Sequence, residues 1–293
     1  MKVAVYGQAQ QGGALDYVLE LLEELASRKA HVLIESSFYK LLKASKGISD
    51  YPVFTDTYGL DSSMDMLVSF GGDGTILRAI TFIGNLGIPV VGVNTGRLGF
   101  LSTFKKEDVR KVIQEFEAGA YTIVERSLVE VHADYEIPEF GLLNFALNEV
   151  TVSRKDTTSM ITVETHLNGE YLTSYWADGL IVATPTGSTG YSLSCGGPVI
   201  TPTAQSLVIT PIAPHNLNAR PLVISDDTEI RLKVSGREMN HLVSLDSRIA
   251  TLENGQEIII KKAGFTVKMI EYTSESFLKT LRNKLLWGQD RRN

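Results

Sequence analysis

Three segments carry residue types suited to chemistry on a phosphorylated, hydroxyl-rich ligand. The first is Gly71-Gly72-Asp73-Gly74-Thr75. It follows the apolar run Met66 to Phe70 and precedes a helical pattern from Thr75 to Ile83. In an open α/β sheet, ligands bind in loops at the carboxyl ends of strands. Glycines there let backbone N–H groups come close to a phosphate. A carboxylate would repel that phosphate unless it binds Mg²⁺ or accepts a proton from an attacking hydroxyl. Glycine plus acid therefore points to phosphoryl transfer more than to plain nucleotide binding. The bland alternative is a tight strand-to-helix turn with Asp73 as helix cap. The spacing is neither that of a Walker A loop nor that of the Gly-x-Gly-x-x-Gly dinucleotide fingerprint. Arg78, one turn into the helix, either reaches a phosphate or sits on the surface.

The second segment runs from Asp178 to Pro198, with Thr184-Pro185-Thr186-Gly187-Ser188-Thr189-Gly190-Tyr191-Ser192-Leu193-Ser194-Cys195-Gly196-Gly197 at its centre. An apolar strand feeds a loop of small residues and hydroxyls with almost no charge. Such a loop offers many donors and little bulk, which suits a polar dinucleotide, and Tyr191 offers a face for stacking on a base. The alternative is an ordinary Gly/Ser linker. The third segment is Asn148-Glu149. An Asn amide pairs with an adenine edge and a Glu accepts from ribose hydroxyls. As an isolated dipeptide it equally reads as a surface turn.

Two kinds of element must hold these segments. Up to about residue 120, short apolar runs alternate with helical patterns. Val3 to Tyr6, His31 to Ile34, Met66 to Phe70 and Ile88 to Val93 read as strands. Ala14 to Lys29, Thr75 to Ile83 and Glu107 to Phe116 read as helices, with a shorter one near Tyr39 to Ala44. The first helix places Leu15, Val18, Leu19, Leu22, Leu25 and Ala26 on one face. This alternation predicts a parallel sheet covered by helices on both sides. From Tyr121 to about Met269 strands follow one another. Ile161 to Leu167, Asn168-Gly169 and Glu170 to Trp176 form a hairpin signal, because Asn-Gly suits a type I′ turn. Glu229 to Val234, His241 to Leu245 and Gln256 to Ile260 are further strands. Ser274 to Trp287 returns to a helical pattern expected to pack on the first domain. The expected fold class is a Rossmann-like parallel α/β domain followed by a β-rich carboxy-terminal domain. The expected bounds are 1–122 plus 272–293 for the first and 123–271 for the second.

The bulk composition narrows the function classes. The chain has 293 residues, 43% hydrophobic and 21% charged, an ordinary globular mixture with room for a large core. The single cysteine, Cys195, excludes an internal disulfide and a cysteine-based zinc site. That fits a reducing compartment, although a cysteine-poor secreted protein looks the same. Neither a signal peptide nor an apolar run of membrane-spanning length is present. A formal net charge of −6 argues against a general nucleic-acid binder. The expectation is a cytoplasmic protein with no membrane and no nucleic-acid partner. A phosphate ligand on an acidic chain needs local help from backbone N–H groups, a few cations or Mg²⁺. Arg97 and Arg220 either hold phosphates or fix loops. His215 lies near the presumed site, whereas His132, His166 and His241 fall on strand patterns.

Taken together, these segments resemble the NAD kinase family. The family is marked by Gly-Gly-Asp-Gly-Thr, an Asn-Glu pair and the long Thr-Pro-Thr-Gly-Ser-Thr stretch, present here at 71–75, 148–149 and 178–198 in that order. Asn94 to Leu101, Ala219 to Leu222 and Leu245-Asp246-Ser247 are also similar to family segments. The resemblance implies transfer of the γ-phosphate of ATP to the 2′-hydroxyl on the adenosine ribose of NAD, with Mg²⁺ or another divalent cation. It implies NAD held between the domains, and a homo-oligomer, a dimer or a tetramer, in which a neighbouring subunit helps close the site. Asp73 matches the general base, with Gly72, Gly74 and Thr75 around it and Arg78 nearby. Asn148 and Glu149 match the pair that holds the adenosine portion. Asp178 and the run Thr189, Gly190, Tyr191, Ser192, Leu193 and Ser194 match further NAD contacts, with Ala213 and Arg248 peripheral. Gly190 stands where alanine is usual, Trp176 where many bacterial members carry arginine, Cys195 where alanine is common, and Arg248 where glutamine is frequent. The arginine replaced by Trp176 bears on the choice between NAD and NADH rather than on the reaction class. Asp73→Asn is expected to fold normally, bind NAD and lose nearly all turnover. A lipid kinase shares the first glycine loop but would lack the 178–198 stretch, and a dinucleotide sensor would bind NAD without turnover.

Overall fold

The computed structural model describes residues 1–8, 14–55, 59–156, 159–272 and 276–286. The chain divides into two compact units, Met1–Glu125 with Val267–Asn293, and Arg126–Thr266.

In chain order the first unit contains β1 (Lys2–Gly7), α1 (Ala14–Ser27), β2 (His31–Glu35), α2 (Ser36–Lys46), β3 (Val53–Phe54), β4 (Met66–Phe70), α3 (Asp73–Ile83), β5 (Val90–Asn94), β6 (Phe104–Lys105) and α4 (Val109–Glu117). Strand β7 (Tyr121–His132) leads into the second unit. The strands are parallel in the order β5-β4-β1-β2-β3, with β6 beside β5. Every residue of β4 and β5 is buried, as expected of parallel strands covered on both faces. Helix α1 buries Val18, Leu21, Leu22 and Leu25. Leu21 thus joins the inward face and Ala26 leaves it for solvent, a rotation of the predicted stripe by about a quarter turn. Helix α2 is capped by Glu35, whose carboxylate accepts from Ser37 N (3.0 Å) and Phe38 N (2.9 Å), and it ends at Gly47 with φ 61°.

The second unit holds β8 (Phe145–Ala146), β9 (Glu149–Arg154), β10 (Ile161–Leu167), β11 (Glu170–Ala177), β12 (Gly179–Ala183), the single-turn α5 (Tyr191–Ser194), β13 (Ser206–Ile212), β14 (Leu222–Ser225), β15 (Ile230–Gly236), β16 (Asn240–Leu245), β17 (Arg248–Glu253) and β18 (Glu257–Tyr272). Residues 257–266 of β18 belong to this unit and 267–272 to the first. One antiparallel sheet runs β14-β13-β12-β9-β16-β17, and β11-β10-β15-β18 form a second run. Alternate residues point inward, so Val150, Val152, Leu180, Val182, Ile209 and Val243 meet Val163, Leu232, Val234 and Ile258 in one core. The Asn168-Gly169 turn has φ 50° and 83°, as its composition predicts.

Back in the first unit, Met269 of β18 pairs with Val90 of β5 in parallel. The final helix, α6 (Phe277–Leu285), is capped by Ser276 and buries Leu281. Its Phe277 ring lies 6.4 Å from Phe100 of the same unit, so this helix packs on the first domain. The predicted helix ends, Ser274 and Trp287, lie outside the described residues. Among the described residues no helix is long and apolar enough to cross a membrane.

Candidate active site

The first glycine segment joins β4 to α3, and the helix begins at Asp73 with Gly72 as its cap. Asp73 does not cap its own helix. Its carboxylate reaches the loop after β5 instead. Oδ1 accepts from Leu101 N (3.0 Å), Ser102 N (3.0 Å) and Ser102 Oγ (3.1 Å), and Oδ2 accepts from Phe100 N alone (2.7 Å). The helix-cap alternative therefore does not describe this side chain. The carboxylate is clamped by three consecutive amides, and only Oδ2 retains an unused lone-pair direction. Asn94, the last residue of β5, tightens the same loop. Its amide donates to Arg97 O (2.8 Å) and Ser102 Oγ (2.9 Å) and accepts from Gly96 N (2.8 Å). Gly99 is obligatory here, because a Cβ would lie 1.7 Å from Asp73 Oδ1. By contrast, a Cβ on Gly72 or Gly74 would meet nothing within 4 Å. No packing contact among the described residues demands these two glycines. Thr75 is buried in the helix base, 3% exposed, so its side chain serves packing rather than ligand contact.

Arg78 is exposed and makes no ion pair among the described residues. Its guanidinium lines a pocket of about 280 Å³ with Gln8, Glu35, Ser37 and Phe38, at the carboxyl ends of β1 and β2. Arg97 is exposed, and only its carbonyl contributes to the loop, as acceptor for Asn94.

In the second unit, Asn148-Glu149 and the 184–190 loop form one hydrogen-bonded body. Thr184 N donates to Asn148 O (2.9 Å), Thr184 Oγ1 donates to Leu147 O (2.5 Å), and Gly187 N donates to Thr184 Oγ1 (3.1 Å). A Cβ on Gly187 would lie 2.0 Å from Asn148 O, so this glycine is required by close backbone approach. The organising residue is Asp246, in the two-residue turn between β16 and β17, with φ 53°. Its carboxylate accepts from Leu147 N (2.9 Å), Asn148 N (2.8 Å) and Glu149 N (3.2 Å), and its own N donates to Glu149 O (3.1 Å). Burial raises the Asp246 carboxyl, and these amides and Arg248 oppose that rise. The sequence gives Asp246 no signal beyond the family-like Leu245-Asp246-Ser247 segment, because a lone Asp in a hairpin turn has an ordinary local explanation.

The other predicted contacts divide by exposure. Tyr191 is 46% exposed, and its hydroxyl is hydrogen-bonded to the Cys195 thiol. Ser194 is exposed, and Thr189, Gly190 and Leu193 are half-buried. Ser192 corrects the expectation: it is fully buried and its hydroxyl pairs with Thr210 Oγ1 at 2.8 Å. It anchors the loop from inside. Arg248 likewise turns inward, donating to Leu143 O and Phe145 O. Burial lowers its pKa, against the pull of Asp246. Arg220 binds Leu217 O and Ala219 O and so fixes its own loop. Asp178 is paired with Arg154 (3.2 Å). Trp176 is 47% exposed, its ring 4.4 Å from that of His215, and its N donates to Asn216 Oδ1. Ala213 holds φ 42° just before Pro214-His215, a backbone conformation that L residues rarely adopt.

Comparison with known proteins agrees with this layout. Residues 3–121 match the model of the ATP-NAD kinase N-terminal domain, and residues 147–272 match that of the ATP-NAD kinase C-terminal domain. A curated NAD kinase of Flavobacterium psychrophilum is 58% identical over 294 residues, with 100% of both chains covered. One of Bacteroides fragilis is 40% identical, again with 100% of both covered. Among solved structures, yeast NADH kinase complexed with NADH has a TM-score of 0.85 at 25% identity, covering 99% of this chain and 88% of that one. An NAD kinase from Archaeoglobus fulgidus in complex with ATP has a TM-score of 0.72 at 26% identity, with 97% of each chain covered. The two domain models together span most of the sequence in the order in which the two glycine segments occur, and the chain belongs to the ATP-NAD kinase family.

Proposed function

We propose that the chain transfers the γ-phosphate of ATP to the 2′-hydroxyl on the adenosine ribose of NAD, giving NADP. The observation that carries this reading is the Asp73 carboxylate, held at the carboxyl ends of β4 and β5 and flanked by Gly72 and Gly74, where an added Cβ would meet nothing within 4 Å. A ribose hydroxyl is too weak an acid to be deprotonated beforehand by a carboxylate. Asp73 Oδ2 takes its proton as the O–P bond forms, a contribution of about 10²–10⁴-fold. The remaining rate comes from alignment and from neutralising phosphate charge. Arg78, exposed and without an ion pair among the described residues, suits a donor phosphate. Mg²⁺ bound with ATP would supply further charge neutralisation at the transferring phosphoryl group. The cation is expected to be held largely through the ATP phosphates. Asn148, Glu149, Asp178, Tyr191 and the exposed Trp176–His215 pair are the proposed NAD contacts, Ala213 and Arg248 acting through the loops that they shape. A homodimer or homotetramer in the cytoplasm, which supplies both substrates, completes the reading.

The test is ATP-dependent formation of NADP, read with an NADP-specific dehydrogenase, with and without Mg²⁺. NAD binding without NADP formation would mark a sensor instead. Gly99→Ala supplies a second check. The added methyl must displace the Asp73 carboxylate, so turnover is expected to fall at least about 100-fold. Overpacking of this kind also costs about 1–3 kcal/mol. Wild-type NADP formation by Gly99→Ala would mean that the clamp on Asp73 is irrelevant to catalysis.

A further inference from the structure

The second unit carries a pocket of about 370 Å³ between β11 and the loop that leads into β14. Thr173, Tyr175, Asn216, Asn218, Arg220 and Leu222 line it, and none of the proposed NAD contacts does. We infer that this pocket binds the phosphate monoester of a small hydroxyl-rich molecule, with the phosphate held by Arg220 and Tyr175.

Arg220 supplies the charge. Its Nη1 donates to Leu217 O (2.9 Å) and Ala219 O (2.7 Å), so the guanidinium plane is fixed before a ligand arrives. Nε and Nη2 make no hydrogen bond among the described residues. These two groups share one edge of the guanidinium, the fork that meets two phosphate oxygens in parallel. The chain has 34 acidic residues, yet among the described residues none pairs with Arg220, and no carboxylate lines the pocket. Tyr175 supplies a second donor. It is 5% exposed, and its hydroxyl has no hydrogen-bond partner among the described residues. The unpartnered hydroxyl of Tyr135 is sealed from solvent. That of Tyr175 is not, and the pocket is where Tyr175 meets solvent. A buried hydroxyl left unpaired is costly, and a phosphate oxygen provides its acceptor. Burial raises the pKa of Tyr175, which keeps the hydroxyl protonated and donating. The rest of the lining suits the remainder of the molecule. Asn216 gives Oδ1 to Trp176 N (3.0 Å) and keeps Nδ2 without a partner among the described residues. That nitrogen, the Thr173 hydroxyl and the Asn218 amide serve sugar hydroxyls. The volume also exceeds what one inorganic phosphate fills and falls in the range of small-molecule sites, about 300–1,000 Å³.

The experiment is calorimetric titration of the full chain with ribose 5-phosphate, inorganic phosphate and ribose at one ionic strength. Ribose 5-phosphate is expected to bind with a Kd below about 1 mM, at least about tenfold tighter than inorganic phosphate, and ribose to give no saturable heat. Arg220→Gln should weaken the ester at least about 30-fold, and Tyr175→Phe, which keeps its ring in the core, about tenfold. Arg78→Gln should leave the ester affinity within about twofold, which separates this pocket from the donor-phosphate position. Should Arg220→Gln fail to fold, Tyr175→Phe decides alone. Inorganic phosphate binding as tightly as the ester, an ester affinity unchanged in either pocket variant, or no ester binding up to about 10 mM overturns the inference. NADP formation by the unmodified chain is measured separately, so the kinase reading stands or falls on its own result.

Discussion

Asp73→Asn is expected to bind NAD within about threefold of the unmodified chain and to form NADP at less than about one hundredth of its rate. An asparagine offers no base for the 2′-hydroxyl proton. The structure changes one part of the expectation drawn from the sequence, that this variant folds normally. Asp73 Oδ2 accepts from Phe100 N at 2.7 Å, and an amide nitrogen in that place opposes a donor with a donor. The mismatch costs about 1–3 kcal/mol, and the melting temperature should fall by several degrees. The two effects separate cleanly. Turnover measured well below the melting transition must fall far more than the folded fraction does, while calorimetry still shows NAD bound. Unchanged kcat in Asp73→Asn would remove the carboxylate from the mechanism.

The second large effect belongs to Asp246→Ala. Three amides, of Leu147, Asn148 and Glu149, lose their acceptor at once. Each buried donor left without a partner costs about 1–3 kcal/mol, less where water can enter. Alanine at φ 53° adds roughly another 1 kcal/mol. The total, about 4 kcal/mol, corresponds to a fall of about 10 °C in melting temperature. NAD affinity should fall more than about tenfold as well, because the peptide carrying Asn148 and Glu149 is no longer held against the 184–190 loop. Thermal denaturation and NAD titration of this variant check both. A melting temperature within about 2 °C of the unmodified chain would show that the three bonds contribute little.

The parallel sheet was legible because β4 and β5 are short, mostly apolar runs with one polar residue each, Ser69 and Asn94, and are bounded by glycine or polar loops. Strand β13 was not, because Pro211 interrupts its pattern. In the structure Pro211 pairs with Leu180 of β12 and lies past the last pair with β14, Ile209 with Leu222. Strand β18 was read only to Ile260, since Lys261, Lys262 and Gly264 hide its continuation to Tyr272. The glycine loops were legible as loops. What they grip was not: the partners of Asp73 lie 27 to 29 residues away, and those of Asp246 nearly a hundred. A one-dimensional pattern carries hydrophobic period and turn chemistry, but it does not record which backbone amides a distant carboxylate will find. Ser192 illustrates the same limit, since its hydroxyl resembles those of its exposed neighbours until Thr210 is brought beside it.

The first unit is assembled from two stretches of chain separated by the whole of the second. Its strand β5 has Met269 as a partner, and a ribosome delivers that residue only after the whole of the second unit. During synthesis the β-rich unit can therefore close while β5, paired with β6 at Val93 and Asn94, still waits with the border at Val90 unpaired. Such borders invite pairing with other chains, and translation at about 5–20 residues per second leaves this one bare for several seconds or longer. Nascent chains stalled shortly before residue 267 should be the species that chaperones hold and that aggregate when overproduced.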